Sequence, residues 1–249
     1  MATETEQSLE TPSVTKRCDS TATTTTKTGF PLGKAAIAAV LAGSLALAWE
    51  FQRPWFHSNL GTVDPGKVFR SAQPTDQLGH WIDDLHIKSI LNLRGGDRTD
   101  WWYDAEVKTA ENHGVTYFDY PLSATRRPTR FELLVLLDVL ERCPYPLLIH
   151  CKSGADRTGL ASALYRMTRL GEPPEQAEGA FSLEFGHVPF FGPEHLHEPL
   201  DEYARWLKDN RRTHTAATFR DWVKDVYESP GPHVAPPALP PGPRPSSHP

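Results

Sequence analysis

Ten residues, HCKSGADRTG at positions 150–159, hold the side chains whose types and spacing can do chemistry in this chain. A cysteine and an arginine six positions apart, Cys151 and Arg157, bracket a short loop. Before it, Pro146, Leu147, Leu148 and Ile149 read as a buried strand. After it, residues 157–169 read as a helix with Leu160, Ala163, Leu164 and Met167 on one face. A loop curled at the carboxyl end of such a strand aims successive backbone N–H groups at one point, and the positive end of the helix dipole lies behind them. That point suits a dianionic phosphoryl group, with Lys152, Ser153, Gly154, Ala155, Asp156 and Arg157 as its cradle. The same field favours the thiolate of Cys151, the form a nucleophile requires. Arg157 offers a planar fork that can hold two phosphoryl oxygens, which lysine cannot do. Taken singly, a cysteine ending an apolar strand is usually an inert core residue, and an arginine in a first helical turn is usually solvated. The coincidence of His150, Cys151, Gly154, Arg157, Thr158 and Gly159 with independent strand and helix flanks outweighs those readings.

The loop resembles the signature of the cysteine-dependent protein tyrosine and dual-specificity phosphatases. Residues 68–74 (VFRSAQP) and 91–95 (LNLRG) resemble the first strands of their compact bacterial members, and the resemblance covers residues 62–227. It implies an α/β protein tyrosine phosphatase-like fold, with a small central sheet of four to five strands flanked by helices. It also implies a cysteinyl-phosphate intermediate and neither metal nor other cofactor.

The elements that must position the loop are legible independently. Leu78, Trp81, Ile82 and Leu85 have helical spacing within residues 75–86, and residues 87–93 read as a strand ending at Arg94-Gly95-Gly96. A helix over residues 101–113 stops at Gly114, and residues 115–120 form the next strand. Thr129 and Glu132 make a capping box ahead of Leu133, Leu136, Leu137 and Leu140. Such alternation marks an α/β layer fold. Beyond Gly171, residues 175–183, 195–208 and 219–227 read as helices.

The general acid is less plainly written. Many relatives place an aspartate some thirty residues before the cysteine, where Asp119 stands. When Tyr120-Pro121 is matched to lipid-phosphatase relatives, however, the acid's place falls near Ala124, which has no proton to give. Asp156 sits inside the loop beside Arg157 and resembles the aspartate of myotubularin and Sac-type lipid phosphatases, so it is preferred on grounds of reach. The competing reading turns Asp156 outward, to order the loop by backbone hydrogen bonds. His150 is expected to order the loop, and Thr158 either donates to the Cys151 sulfur or serves as an early-helix hydroxyl. Lys152 adds positive charge at the pocket wall. Arg126, Arg127 and Arg130 either lie on a solvated surface or rim the pocket and select an acidic substrate.

Composition bounds the remainder. Residues 58–228 suffice for one well-cored phosphatase domain. The Thr/Ser-rich residues 1–29 and the Pro-rich residues 229–249 are expected to be disordered. A net charge of −5 gives no sign of nucleic-acid binding. Residues 30–51 include an uncharged Ala-rich run preceded by Lys27 and Lys34. They read as a single-pass membrane anchor holding the catalytic domain on the non-cytoplasmic side, with a cleaved signal peptide and a buried helix as alternatives. Cys143 and Cys151 suggest no disulfide framework, and His195-x-His197 lacks the partners of a metal site. The leading reading is phosphomonoester hydrolysis, on a phosphorylated protein. A phosphoinositide or other phospholipid substrate is the alternative within the same fold. A catalytically weak phosphate-recognition module and a rhodanese-class sulfurtransferase are the alternatives outside it, and Arg157 with Thr158-Gly159 argues against the last.

Overall fold

Strand β5, Leu147–His150, is the middle of a five-stranded sheet, and its central place is what fixes the loop that follows it. In a computed structural model, residues 36–37, 39–44, 58–190 and 192–228 are described. Strands β1 (Gly61–Asp64), β2 (Val68–Ser71), β3 (Ser89–Asn92) and β4 (Thr116–Asp119) complete the sheet in the order β1-β2-β5-β3-β4. β1 pairs antiparallel with β2, while β2, β5, β3 and β4 run parallel. The carboxyl ends of β2, β5 and β3 therefore open on one side, with Ser71, His150 and Asn92 in register.

Side chains alternate across this sheet as the strand period of two requires. Val68, Leu91, Leu147 and Ile149 enter one core, while Phe69, Ile90 and Leu148 enter the other. Helices cover both faces, which is why the strands read as continuous apolar runs. On the second face lie α1 (Leu78–Asp84) and α2 (Trp101–Asn112), which contribute Leu78, Ile82 and Ala110. The first face carries α3 (Arg130–Arg142), α4 (Asp156–Arg169), the short α5 (Pro174–Ala177), α6 (Glu198–Asp209) and α7 (Ala216–Asp225).

The expected α/β architecture is present. The Thr129–Glu132 capping box forms in both directions, satisfying two otherwise unpaired backbone donors. Helix α2 ends where Gly114 takes a φ of +66°, a conformation cheap only for glycine. The helix expected over residues 175–183 is instead α5 followed by short 3-10 turns at Glu178–Ala180 and Leu183–Phe185. Phe181, between those turns, leaves helical geometry to pack on Gly159 of α4, where an added Cβ would come within 2.7 Å of its ring.

The chain divides into two units, residues 1–41 and 42–249. The segments expected to be disordered, residues 1–29 and 229–249, lie outside the described residues, as does most of the expected anchor at residues 30–51. Residues 36, 37 and 39–44 are helical, with Ile37, Val40 and Leu41 exposed. Among the described residues, no helix is long and apolar enough to cross a membrane.

Candidate active site

The loop of residues 151–157 leaves β5 and enters α4, and the backbone geometry explains its anion preference. Four successive carbonyls are held from outside the loop. Lys152 O accepts from the Gln73 amide at 3.2 Å, and Ser153 O from Asn59 Nδ2 at 2.8 Å. Gly154 O and Ala155 O both accept from Nη2 of Arg70, at 2.8 and 3.3 Å. A planar trans peptide points its N–H opposite to its C=O, so the N–H groups of residues 153–156 turn inward. The inward one on Gly154 reaches Cys151 Sγ at 3.3 Å, and a donor there favours the thiolate. Gly154 itself is required twice over. Its φ is +74°, and an added Cβ would lie 2.6 Å from the backbone of Ser71 and Ala72.

Arg157 presents a specific edge to this cradle. Its Nη1 donates to the carbonyls of Leu93 and Leu122, at 3.2 and 3.3 Å, which anchors one side of the guanidinium. Its Nε is buried without a hydrogen-bond partner among the described residues. The Nε–Nη2 edge is thus left for two oxygens of an incoming phosphoryl group. Lys152 and Ser153 are exposed at the mouth, whereas Cys151, Gly154 and Ala155 are buried.

Two residues outside the motif form the outer wall. Arg70, on β2, is 2% exposed, and its Nη1 donates to Ala180 O at 2.6 Å while its face lies 3.8 Å from the centre of the Phe185 ring. Burial lowers its pKa to about 10, opposed by the charge of Cys151 and then of Glu184 and Asp156. Asn59 ties Ser153 to Phe185 O, 2.9 Å from its Nδ2. Sequence reasoning assigned neither residue a role. The one available signal was a charged residue inside the apolar run of β2.

Behind the loop, His150 is fully buried. Its Nδ1 lies 3.4 Å from Cys151 O, and its Nε2 makes a 2.6 Å contact with Glu106 Oε1 that is poorly aligned for a hydrogen bond. Gln73 donates to the other Glu106 oxygen, and Arg94 Nη1 donates to Gln73 Oε1 at 3.2 Å. Arg94 lies 3.4 Å from the centre of the Trp102 ring. Its pKa is lowered chiefly by burial; Asp100 opposes this, and the like charge of Arg157 adds to it.

The two candidate acids are placed very differently. Asp119 Oδ1 accepts from Asn92 at 3.1 Å and Oδ2 from Tyr103 at 2.7 Å, so both oxygens are engaged within the sheet edge. Burial, the largest influence, raises its pKa. Asp156 stands at the start of α4, with Oδ1 2.8 Å from His187 Nδ1. Oδ2 has no partner among the described residues. The Thr158 hydroxyl is buried and makes no hydrogen bond among the described residues, so its expected donation to Cys151 Sγ is not formed.

Arg126 lies on the solvated surface, as one of the two readings expected, whereas Arg127 and Arg130 are partly buried in tertiary contacts. Arg126 pairs with Glu132 at 2.6 Å, Arg127 grips both carboxylate oxygens of Glu202 at 2.7 and 2.5 Å, and Arg130 Nε donates to Tyr227 O at 2.8 Å. Arg127 and Arg130 bind the start of α3 to α6 and to the segment after α7, while Arg126 pairs locally. His195 and His197 do not converge on one point: Nδ1 of the first meets Glu198, and Nε2 of the second meets His187.

A thiol at the floor of an N–H cradle, beside a half-anchored guanidinium, is an arrangement suited to a phosphoryl group. A family model described as DSP-PTPase phosphatase fused to NAD+ Kinase matches residues 57–188, more than half of the 249 residues, and the chain belongs to that family. The dual specificity protein phosphatase TpbA of Pseudomonas aeruginosa is 32% identical over 144 residues, 57% of this chain and 61% of its own length. Inositol diphosphatase DSP4 of Arabidopsis thaliana is 31% identical over 109 residues, 41% of this chain and 51% of its own. The chain thus spans between half and two thirds of these curated relatives. The crystal structure of TpbA aligns with a TM-score of 0.49 at 24% identity, over 68% of this chain and 92% of that one.

Proposed function

We propose that this protein hydrolyses phosphomonoesters through a cysteinyl-phosphate intermediate. The observation that carries the reading is the cradle, with four loop carbonyls tied outward and one edge of Arg157 left open beside Cys151. The Cys151 thiolate attacks phosphorus, the bond to the ester oxygen breaks, and that oxygen takes a proton from Asp156. Water then attacks the phosphocysteine and gives a proton to the Asp156 carboxylate, releasing inorganic phosphate and the thiolate. Arg157 follows the equatorial oxygens through both transition states. The test is turnover of para-nitrophenyl phosphate by the reduced full chain, expected to proceed without added metal and unaffected by chelator. A folded, reduced protein with no turnover moves the reading to a phosphate-recognition module.

A phosphorylated protein is the proposed substrate, in keeping with the printed activity of TpbA. A second reading, a polyphosphorylated inositol or its lipid, is favoured by Arg94. This second guanidinium is near enough to Arg157 and Cys151 for their charges to act on it, and exposed Lys152 adds to the cationic mouth. DSP4 is named an inositol diphosphatase. Arg94→Ala is expected to lower kcat/KM for an inositol polyphosphate by about tenfold while changing that for a phosphotyrosine peptide by less than about twofold. Equal changes on both substrates would remove the second reading.

The location proposed is the non-cytoplasmic side of a membrane, with residues 30–51 as a single-pass anchor for the domain of residues 58–228. Support comes from the basic flank of an uncharged run and from the exposure of Ile37, Val40 and Leu41. The full chain is expected to stay in the membrane pellet through an alkaline wash, and its release to the supernatant would discard the anchor.

A further inference from the structure

Asp156 is the first member of a chain of three. His187 Nδ1 lies 2.8 Å from Asp156 Oδ1, and His187 Nε2 lies 2.7 Å from His197 Nε2. Two imidazole nitrogens at that distance share one proton, because a pair of bare lone pairs or a pair of N–H groups would repel. The arrangement is held by packing. His187 is 3% exposed, and the Phe181 ring stacks on His197 at 3.9 Å and lies 5.0 Å from His187. The absence of a side chain on Gly159 makes room for Phe181, so the last glycine of the loop motif supports the histidine pair.

Charged groups face this chain from two sides. From β2, Arg70 lies within electrostatic range of Asp156 and of Glu184. From α6, Asp201 faces His197, and Asp201 is itself hydrogen-bonded to Glu178 beside α5. His197 is held toward its neutral form, first by burial and then by the like charge of His187, against the pull of Asp201 and Asp156.

We infer that His187, backed by His197, is a positioning residue for Asp156 that holds its carboxyl at the loop and exchanges its proton with solvent. The inference rests on the phosphatase reading and deepens it. With Asp156 ionised, His197 Nε2–H donates to His187 Nε2, and His187 Nδ1–H donates to the carboxylate. A proton arriving from water at Nδ1 of the half-buried His197 lets each ring pass on its own. The His197 Nε2 proton moves to His187 Nε2, and the His187 Nδ1 proton moves to Asp156 Oδ1. One solvent proton is consumed, both rings stay neutral with the opposite nitrogen protonated, and Asp156 becomes the carboxylic acid that the leaving oxygen needs. The reverse sequence returns to solvent the proton that Asp156 takes from the attacking water.

The test compares kcat and KM across pH for para-nitrophenyl phosphate, a good leaving group, and an alkyl phosphate, a poor one, using the full chain. Asp156→Ala is expected to slow the alkyl ester at least about tenfold more than the nitrophenyl ester. His187→Phe should reproduce that selectivity. His187→Asn keeps an N–H donor near the place of Nδ1 but cannot relay, so it should preserve alkyl turnover at acid pH. The alkaline limb of its profile should then fall about one pH unit lower. His197→Gln should move the same limb in the same direction by less, and it carries the test if the His187 variants do not fold. Unmoved profiles in both His187→Asn and His197→Gln, or equal losses on the two esters, overturn the relay. Selectivity in Asp156→Ala without it in the histidine variants removes the relay and leaves Asp156 as the acid. Equal losses in Asp156→Ala remove both, and no turnover of either ester by the unsubstituted chain removes the phosphatase reading itself.

Discussion

The Cys151→Ser variant turns over para-nitrophenyl phosphate at least about a thousandfold more slowly than the unsubstituted chain, yet still binds inorganic phosphate. The reasoning separates nucleophile from cradle. A serine hydroxyl is not ionised at neutral pH, and Asp156 must enter the first step protonated to serve the leaving oxygen, so it cannot also take the serine's proton. The N–H groups of residues 153–156 and the open edge of Arg157 are unaltered, because their positions are set by Gln73, Asn59, Arg70 and the carbonyls of Leu93 and Leu122. Steady-state kinetics and calorimetric titration with phosphate check the two halves. Residual turnover above about a hundredth of the original rate would show that the thiol is not the nucleophile.

Arg70→Met is the other large effect, at a residue with no place on the substrate. Removing the guanidinium leaves the carbonyls of Ala180, Gly154 and Ala155 without that donor, inside a buried region. Ala155 O keeps its bond from the Gly159 amide at 2.8 Å, so two buried acceptors are orphaned. Each costs about 1–3 kcal/mol, and a loss of at least about 2 kcal/mol in unfolding free energy is expected. Contact with the Phe185 ring, 3.8 Å away, adds about 1 kcal/mol to the interactions lost. The freed carbonyl of Gly154 can rotate inward and present oxygen lone pairs to an anion, so kcat/KM falls by about a hundredfold or more. Denaturant unfolding and nitrophenyl phosphate kinetics measure both. Arg70→Met with unchanged stability would mean that the loop holds its shape alone.

The contrast between these two residues shows where a sequence speaks and where it does not. Cys151 and Arg157 were legible because their chemistry is encoded within one short loop, and the flanking strand and helix follow from apolar periodicity alone. Helix α3 was legible for the same reason, since Thr129 and Glu132 are three residues apart. Asn59, Arg70, Glu106 and His187 act on the loop from 31 to 94 positions away along the chain, and nothing local marks their partners. Glu106 left a faint trace, an acid four residues before Ala110 on the buried face of α2. The basic residues Arg126, Arg127 and Arg130 left a solvated surface and a substrate-facing rim both open, because charge is visible in a sequence and pairing is not. Their carboxylate partners include Glu202, 75 residues beyond Arg127. The helix expected over residues 175–183 failed for a similar reason: a tertiary demand, the docking of Phe181 on Gly159, overrode a local preference.

The Arg70 clamp also has a consequence for the order in which the molecule matures. Its bonds close loops of 84, 85 and 110 residues, and those of Asn59 close 94 and 126. Helices and the β1–β2 hairpin need only neighbours and form on the microsecond scale, whereas contacts of such separation wait for the chain to be nearly complete. Until then the cysteine is an ordinary thiol on an ordinary loop. On the proposed mechanism catalytic competence is therefore acquired last, and a chain caught part-way through folding carries the thiol without the cradle.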